Sequence, residues 1–213
     1  MCGVISPKDL VKVAKKRDLD GLAVCDHNTT AGIKEVKREN KKFGLDIIPG
    51  EEVTTEFGHV LVYYVQEEIP KCNFFELLDV ASAQDAIVVI AHPFRFPPNL
   101  NFGYSLRKLV KKIDGVEVIN GRNFWFANIK ARRTAEELGF PMTGGSDGHT
   151  RMEIGRVFTV FEGDLRKALQ KRETTPVSNM PLGIIPGQII SGIFKGLRKL
   201  TKPFRKKTQL WWV

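Results

Sequence analysis

AIVVIAHPFR, residues 86–95, runs six apolar residues into a histidine. Its core, Ile-Val-Val-Ile, is too short and too β-branched for a helix. With no polar residue alternating through it, it reads as a strand buried on both faces. A strand of that kind lies inside a sheet covered by helices, and this one delivers an imidazole at its end. Working outward, GLAVC (21–25) leads into Asp26-His27, and GVEVIN (115–120) and FPMTGGSD (140–147) are further apolar runs ending in polar groups. LDIIPGEEVTT (45–55) and HVLVYYV (59–65) read as strands joined by a turn at Phe57-Gly58, and GRVFTVF (155–161) as a last strand.

Helical patterns fall between these runs. Ser6-Pro7 is a capped start, and Thr29 to Phe43, Phe74 to Ala83, LRKLVKKI (106–113), residues 126–139 closed by Gly139, and Asp164 to Lys171 follow. Strand–helix alternation with near-continuous apolar strands predicts an α/β fold with a mainly parallel sheet. About seven strands suit a closed or nearly closed barrel.

The chain has 213 residues, 42% hydrophobic and 27% charged, which fits one soluble domain with a substantial core. No apolar run approaches the roughly 20 residues of a membrane span, and the N-terminus lacks a signal-peptide core. The three cysteines (Cys2, Cys25, Cys72) form no CxxC pair. A reducing, cytoplasmic setting is therefore expected. The net charge of +9 is concentrated at one end: residues 195–213 hold seven basic residues and no acid, leaving +2 for the remainder. Pro176, Pro181 and Pro186 mark a linker, so residues 1–173 are expected to form the barrel and 174–213 a linker and basic tail.

The histidines carry the chemistry. His27, His92 and His149 sit at or just after strand ends, and His59 starts a strand. Carboxylates at comparable places are Asp26, Glu51, Glu52, Glu117 and Asp147. In barrel enzymes such strand ends hold the functional groups. Imidazole mixed with carboxylate suits Zn²⁺, Mn²⁺ or Fe²⁺, and the lack of cysteine partners disfavours a structural zinc. In GGSDGHT (144–150), an extended backbone would point Asp147 and His149 to one side, about 7 Å apart. A strand-end histidine can equally be a hydrogen-bonded structural residue, and Asp26 can simply start the next helix.

GLAVCDHNTTAG, PGEEVTTEFGHVLVY, AHPFR, GVEVING and GGSDGHT resemble, in order and spacing, the motifs of the polymerase and histidinol phosphatase (PHP) superfamily, over roughly residues 2–165. The resemblance implies a distorted (β/α)₇ barrel with a two- or three-metal centre at the C-terminal strand ends. His27, Glu52, His59, His92, Asp147 and His149 match its ligands, with Glu52 preferred to Glu51 because the pattern places the acid two residues after glycine. It also implies metal-assisted hydrolysis of a phosphate ester, on a small phosphorylated metabolite or a nucleotide. Arg95 and Arg122 are the expected phosphate-gripping groups, either of which can instead be a surface arginine. Asp26 is expected to orient a ligand histidine, and Asn120 to position substrate. The family pattern begins with a strand ending in His-x-His, whereas this sequence starts at MCGVISPKDL, in the segment that follows. That first strand is thus missing here. It is expected upstream of Met1, the other reading being a shortened chain with fewer metals.

The apolar residues Ile189, Ile190, Ile193, Phe194, Leu197 and Leu200 fall on one helical face, with basic residues mainly opposite. Residues 187–213 therefore suit an anionic membrane surface, nucleic acid, or packing on the barrel. The alternative to an enzyme is a PHP-like scaffold that binds RNA or a membrane through this tail.

Overall fold

The computed structural model describes residues 5–179, so the tail expectations for 187–213 lie outside the described residues. The chain opens on α1 (Pro7–Lys16), where Ser6 Oγ accepts from Asp9 N and proline fills the first turn. Then come β1 (Gly21–His27), α2 (Ile33–Asn40), β2 (Asp46–Thr55) and β3 (Gly58–Tyr63). After α3 (Phe74–Ala83) and β4 (Ile87–Ile90), two short 3₁₀ turns lead to β5 (Gly115–Asn120). The chain continues through α4 (Trp125–Leu138), β6 (Met142–Gly145), β7 (Val157–Val160), α5 (Leu165–Lys171) and β8 (Thr175–Ser178).

Six strands form one curled sheet in the order β1-β2-β3-β4-β5-β6, a half-barrel, with β7 and β8 as a separate antiparallel ribbon. The sheet is mainly parallel, with three of its five pairings parallel; the exception is β3, which runs antiparallel to both β2 and β4. The cause is local. Phe57-Gly58 closes a tight hairpin, with Gly58 at φ +129°, which reverses the chain instead of crossing over through a helix. Among the described residues the barrel-like sheet has six strands, and the strand–helix alternation expected of it is present.

Strand alternation sorts the side chains. On the convex side Val53, Val60, Val62, Ile90, Val116 and Val118 pack with Phe74 and Leu77 of α3 and Ala131 and Ala135 of α4. A second cluster joins Leu10, Val11 and Ala14 of α1 and Val36 of α2 to Leu22 and Val24 of β1. On the concave side Ile48, Tyr63, Ile87 and Val89 pack against Leu165 and Leu169 of α5. Above that plug lies a cavity of about 740 Å³ reaching from β1 to β6 and β7. Burying both faces explains why Ile87–Ile90 carries no polar residue.

Three local expectations are corrected. Helix α2 starts at Ile33, because Thr29 Oγ1 and Thr30 N are both bound to Glu68 Oε2. Residues 106–113 form only a 3₁₀ turn, Leu106–Leu109. There the chain is drawn out towards Asp114, which exchanges hydrogen bonds with the backbone of Val88. Pro176 lies in β8, opposite Thr159, so part of the proposed linker is ribbon. An edge strand tolerates a residue without an N–H.

The start of α3 offers a local test of stability. Asn73 Oδ1 accepts from Phe75 N and Glu76 N, each at 3.0 Å, and Glu76 Oε2 accepts from Asn73 N. This reciprocal box holds the helix that buries Phe74 and Leu77. Asn73→Ala is expected to cost about 1 kcal/mol, read as a lowered denaturation midpoint with an unchanged slope.

Candidate metal centre

The half-barrel gathers side chains from five strands at one rim. His27 ends β1 and stands in register with Glu52 of β2, so the two share a face. β3 is antiparallel, so its first residues stand beside the end of β2: His59 pairs with Thr54, diagonal to Glu52. The hairpin resolves why a histidine that begins a strand still reaches the site. His92 follows β4, and Asp147 and His149 follow β6.

Glu52 is the hub. Its carboxylate lies 2.8 Å from His59 Nδ1, 3.3 Å from His92 Nε2 and 3.5 Å from His27 Nε2. His27, Glu52 and His59 each offer a ligand atom, all within 4.8 Å of one another. Burial would raise the Glu52 pKa, but the close approach of the His59 and His92 rings, with His27 beside them, holds it well below the usual range. Burial lowers the pKa of His27 against the pull of Glu52, which favours neutral imidazole, the form that binds metals. His59 Nδ1 approaches Glu52 closely yet has no hydrogen-bond geometry to any partner among the described residues. Two lone-pair groups crowded this way around a shared point fit a cation between them.

The second half of the rim is organised by arginines. Arg95 places Nη1 3.0 Å from His92 Nε2 and Nη2 3.2 Å from Asp147 Oδ2, joining the two halves. Arg122 is buried, not a surface residue. Its Nη1 lies 2.6 Å from His149 Nδ1 and 2.7 Å from Nε2, so the cation sits against the ring rather than along one lone pair. Arg122 also lies 3.7 Å from Asp147 Oδ1 and 4.0 Å from Glu153 Oε1. Burial lowers the His149 pKa despite the opposing charge of Asp147.

Asn120 donates to Glu117 Oε2 at 3.0 Å and to Asp147 Oδ2 at 3.3 Å. Glu117 Oε2 also accepts from His92 N at 2.8 Å, and burial pushes its pKa up to about 7. Glu117 thus braces the loop that presents His92, whose backbone is left-handed at φ +28°. Asp147 is left-handed too, at φ +45°, and His149 Nδ1 lies 2.9 Å from the Asp147 carbonyl. The extended Asp147–His149 geometry is therefore corrected: the chain turns tightly here. Non-glycine residues in this region cost about 1–3 kcal/mol each and persist where surrounding contacts hold them. Gly145 leaves the necessary room, since a Cβ there would lie 2.9 Å from Glu117 Oε1.

Asp26 does not join the cluster. It shares the strand parity of Leu22 and Val24, facing away from His27 and towards the side of its register partner Glu51. Both its carboxylate oxygens are buried without a hydrogen-bond partner among the described residues, and burial raises its pKa to about 7. Glu51 is fully buried and accepts from Ile69 N at 2.9 Å, a structural role. Sequence reasoning overlooked Glu153, which accepts from His149 N at 2.9 Å. Its only signal is its place four residues after His149, within a loop of no regular period.

Comparison with known proteins supports the fold. A family model described as PHP-associated matches residues 125–174. An uncharacterized protein of Methanocaldococcus jannaschii is 32% identical over 138 residues, spanning 63% of this chain and 79% of the relative. Among solved structures, a two-domain protein of Bacteroides vulgatus, containing a predicted PHP-like metal-dependent phosphoesterase, aligns with a TM-score of 0.71 at 20% identity. The alignment covers 83% of this chain and 61% of that protein, so the chain spans less than two thirds of it. A Bifidobacterium adolescentis protein named as a metal-dependent phosphoesterase aligns with a TM-score of 0.59 at 18% identity, covering 70% and 84% of the two chains.

Proposed function

Because the chain belongs to the PHP superfamily, we propose that it is a metal-dependent hydrolase of phosphate esters, acting on a small phosphorylated metabolite or a nucleotide. The observation that carries the reading is the convergence of His27, Glu52 and His59 from three strands, with ligand atoms within 4.8 Å. His92, Asp147 and His149 complete the proposed ligand set around two or three ions. Mn²⁺, Zn²⁺ and Fe²⁺ are the ions that imidazole and carboxylate together suit. Such ions supply activation of water near neutral pH and neutralisation of phosphoryl charge.

The chain's own residues have separate tasks in this proposal. Glu52 keeps its negative charge through the His59 and His92 contacts. Arg95 and Arg122 offer planar cations to the non-bridging phosphoryl oxygens. Asn120 orients Asp147, and Glu117 fixes the His92 backbone. A pure scaffold has no need of this buried acid–histidine set, which favours the enzyme.

The test is metal analysis with phosphate release from aryl phosphates and nucleoside monophosphates. Chelation is expected to lower the rate at least about 100-fold, with Mn²⁺, Zn²⁺ or Fe²⁺ restoring it. Absence of both bound metal and hydrolysis would overturn the proposal.

A further inference from the structure

A contiguous apolar surface lies outside the cavity. Phe96 and Leu100, in the loop after His92, and Trp125, Phe126 and Ile129, in the first turns of α4, are 38% to 56% exposed. Ring contacts join the two segments: Phe96 stands edge-on to Phe124 at 5.5 Å and to Phe126 at 6.1 Å, and Trp125 is edge-on to Phe126 at 6.0 Å. None of these residues lines the cavity. The patch is held firmly, because Asn128 and the Asn120 backbone exchange two hydrogen bonds of 3.1 Å that pin the start of α4 to the end of β5. Isolated exposed apolar residues are ordinary, but the joined rings of Phe96, Trp125 and Phe126, with Leu100 and Ile129 exposed on the same two segments, call for a partner.

Charge indicates which partner. Residues 93–113 and 118–135 hold no acid, and apart from Arg95 and Arg122, which belong to the rim, they hold seven basic residues. Lys130 and Arg133 are exposed on the same helix, and Trp125, Ile129 and Arg133 succeed one another at four-residue spacing along it. Lys130 Nζ lies 4.4 Å above the Phe94 ring, its stem over apolar surface. The rings do not form a base-stacking platform. Phe124 and Phe126 are stacked on each other at 5.4 Å and 10°, while Leu100 and Ile129 offer no ring at all.

We propose that this face docks on an anionic lipid surface. Phe96, Leu100, Trp125, Phe126 and Ile129 enter the boundary between headgroups and acyl chains, and Lys130 and Arg133 meet headgroup phosphates. No helix among the described residues is long and apolar enough to cross a membrane, so this is contact from one side.

The test uses the full chain with Trp211→Phe and Trp212→Phe, leaving Trp125 as the one tryptophan of three. Phosphatidylcholine vesicles with phosphatidylglycerol are expected to shift Trp125 emission to the blue, and vesicles without it are not. Adding Phe96→Ser and Phe126→Ser is expected to weaken vesicle binding at least about tenfold, with metal content and phosphate release unchanged. Co-sedimentation without any change in Trp125 emission would place the contact elsewhere in the chain and overturn the proposal. So would loss of single-stranded RNA binding in the serine variant with vesicle binding intact.

Discussion

Glu52→Gln is expected to lower phosphate-ester hydrolysis about 10³-fold, equivalent to about 4 kcal/mol of barrier, and to deplete bound metal. The reason is position: Glu52 is the carboxylate that reaches His27, His59 and His92 together. The amide keeps the shape and removes the charge. The neighbouring substitution makes the result specific. Glu51 lies on the opposite face of β2, and an amide there can still accept from Ile69 N. Glu51→Gln is expected to leave the rate within about threefold. Metal analysis and steady-state rates of the two variants side by side provide the check. Equal losses in both would mean that folding, rather than the charge at the rim, is being measured.

Arg122→Met is expected to destabilise the metal-free protein by about 3–5 kcal/mol, because it strips the cation from buried carboxylates. Asp147 and Glu153 lie within 4.0 Å of the guanidinium, and all three side chains are less than a tenth exposed. Methionine preserves the bulk, so the loss reports charge and not a cavity. Added divalent metal is expected to recover part of that stability by supplying positive charge near Asp147 and His149. Urea denaturation of both proteins, with metal and with chelator, measures the two effects. A loss below about 1 kcal/mol would show that the carboxylates are neutralised by other means.

Much of the rim was legible because chemistry and strand ends coincide. An apolar run must stop where it leaves the core, and a histidine placed at that stop is marked without any alignment. His27 and His92 are of this kind. His59 resisted the same logic, since starting a strand is informative only once β3 is known to run antiparallel. The Phe57-Gly58 turn carried that information, but the parallel expectation drawn from the other strands hid it. Asp26 poses the complementary problem. Adjacency in sequence suggested partnership with His27, whereas alternation along β1 sends neighbours to opposite faces. Arg122 was singled out, but its burial, and Glu153 altogether, were beyond reach. Their burial is created by contacts between loops after β5 and β6, and nothing in a local pattern encodes a distance across 27 or 31 residues of chain. The short α2 and the lost helix at 106–113 have the same origin, in Glu68 and Asp114 reaching across the fold to claim backbone donors.

The proposed function rests on a divalent cation surrounded by His27, Glu52 and His59. Anomalous X-ray diffraction at the Mn or Zn absorption edge, from crystals grown with that metal, locates such an ion. A peak is expected between these three side chains, lost in Glu52→Gln and kept in Glu51→Gln. Well-diffracting crystals with no anomalous peak at this rim, or with one only elsewhere, would rule the site out.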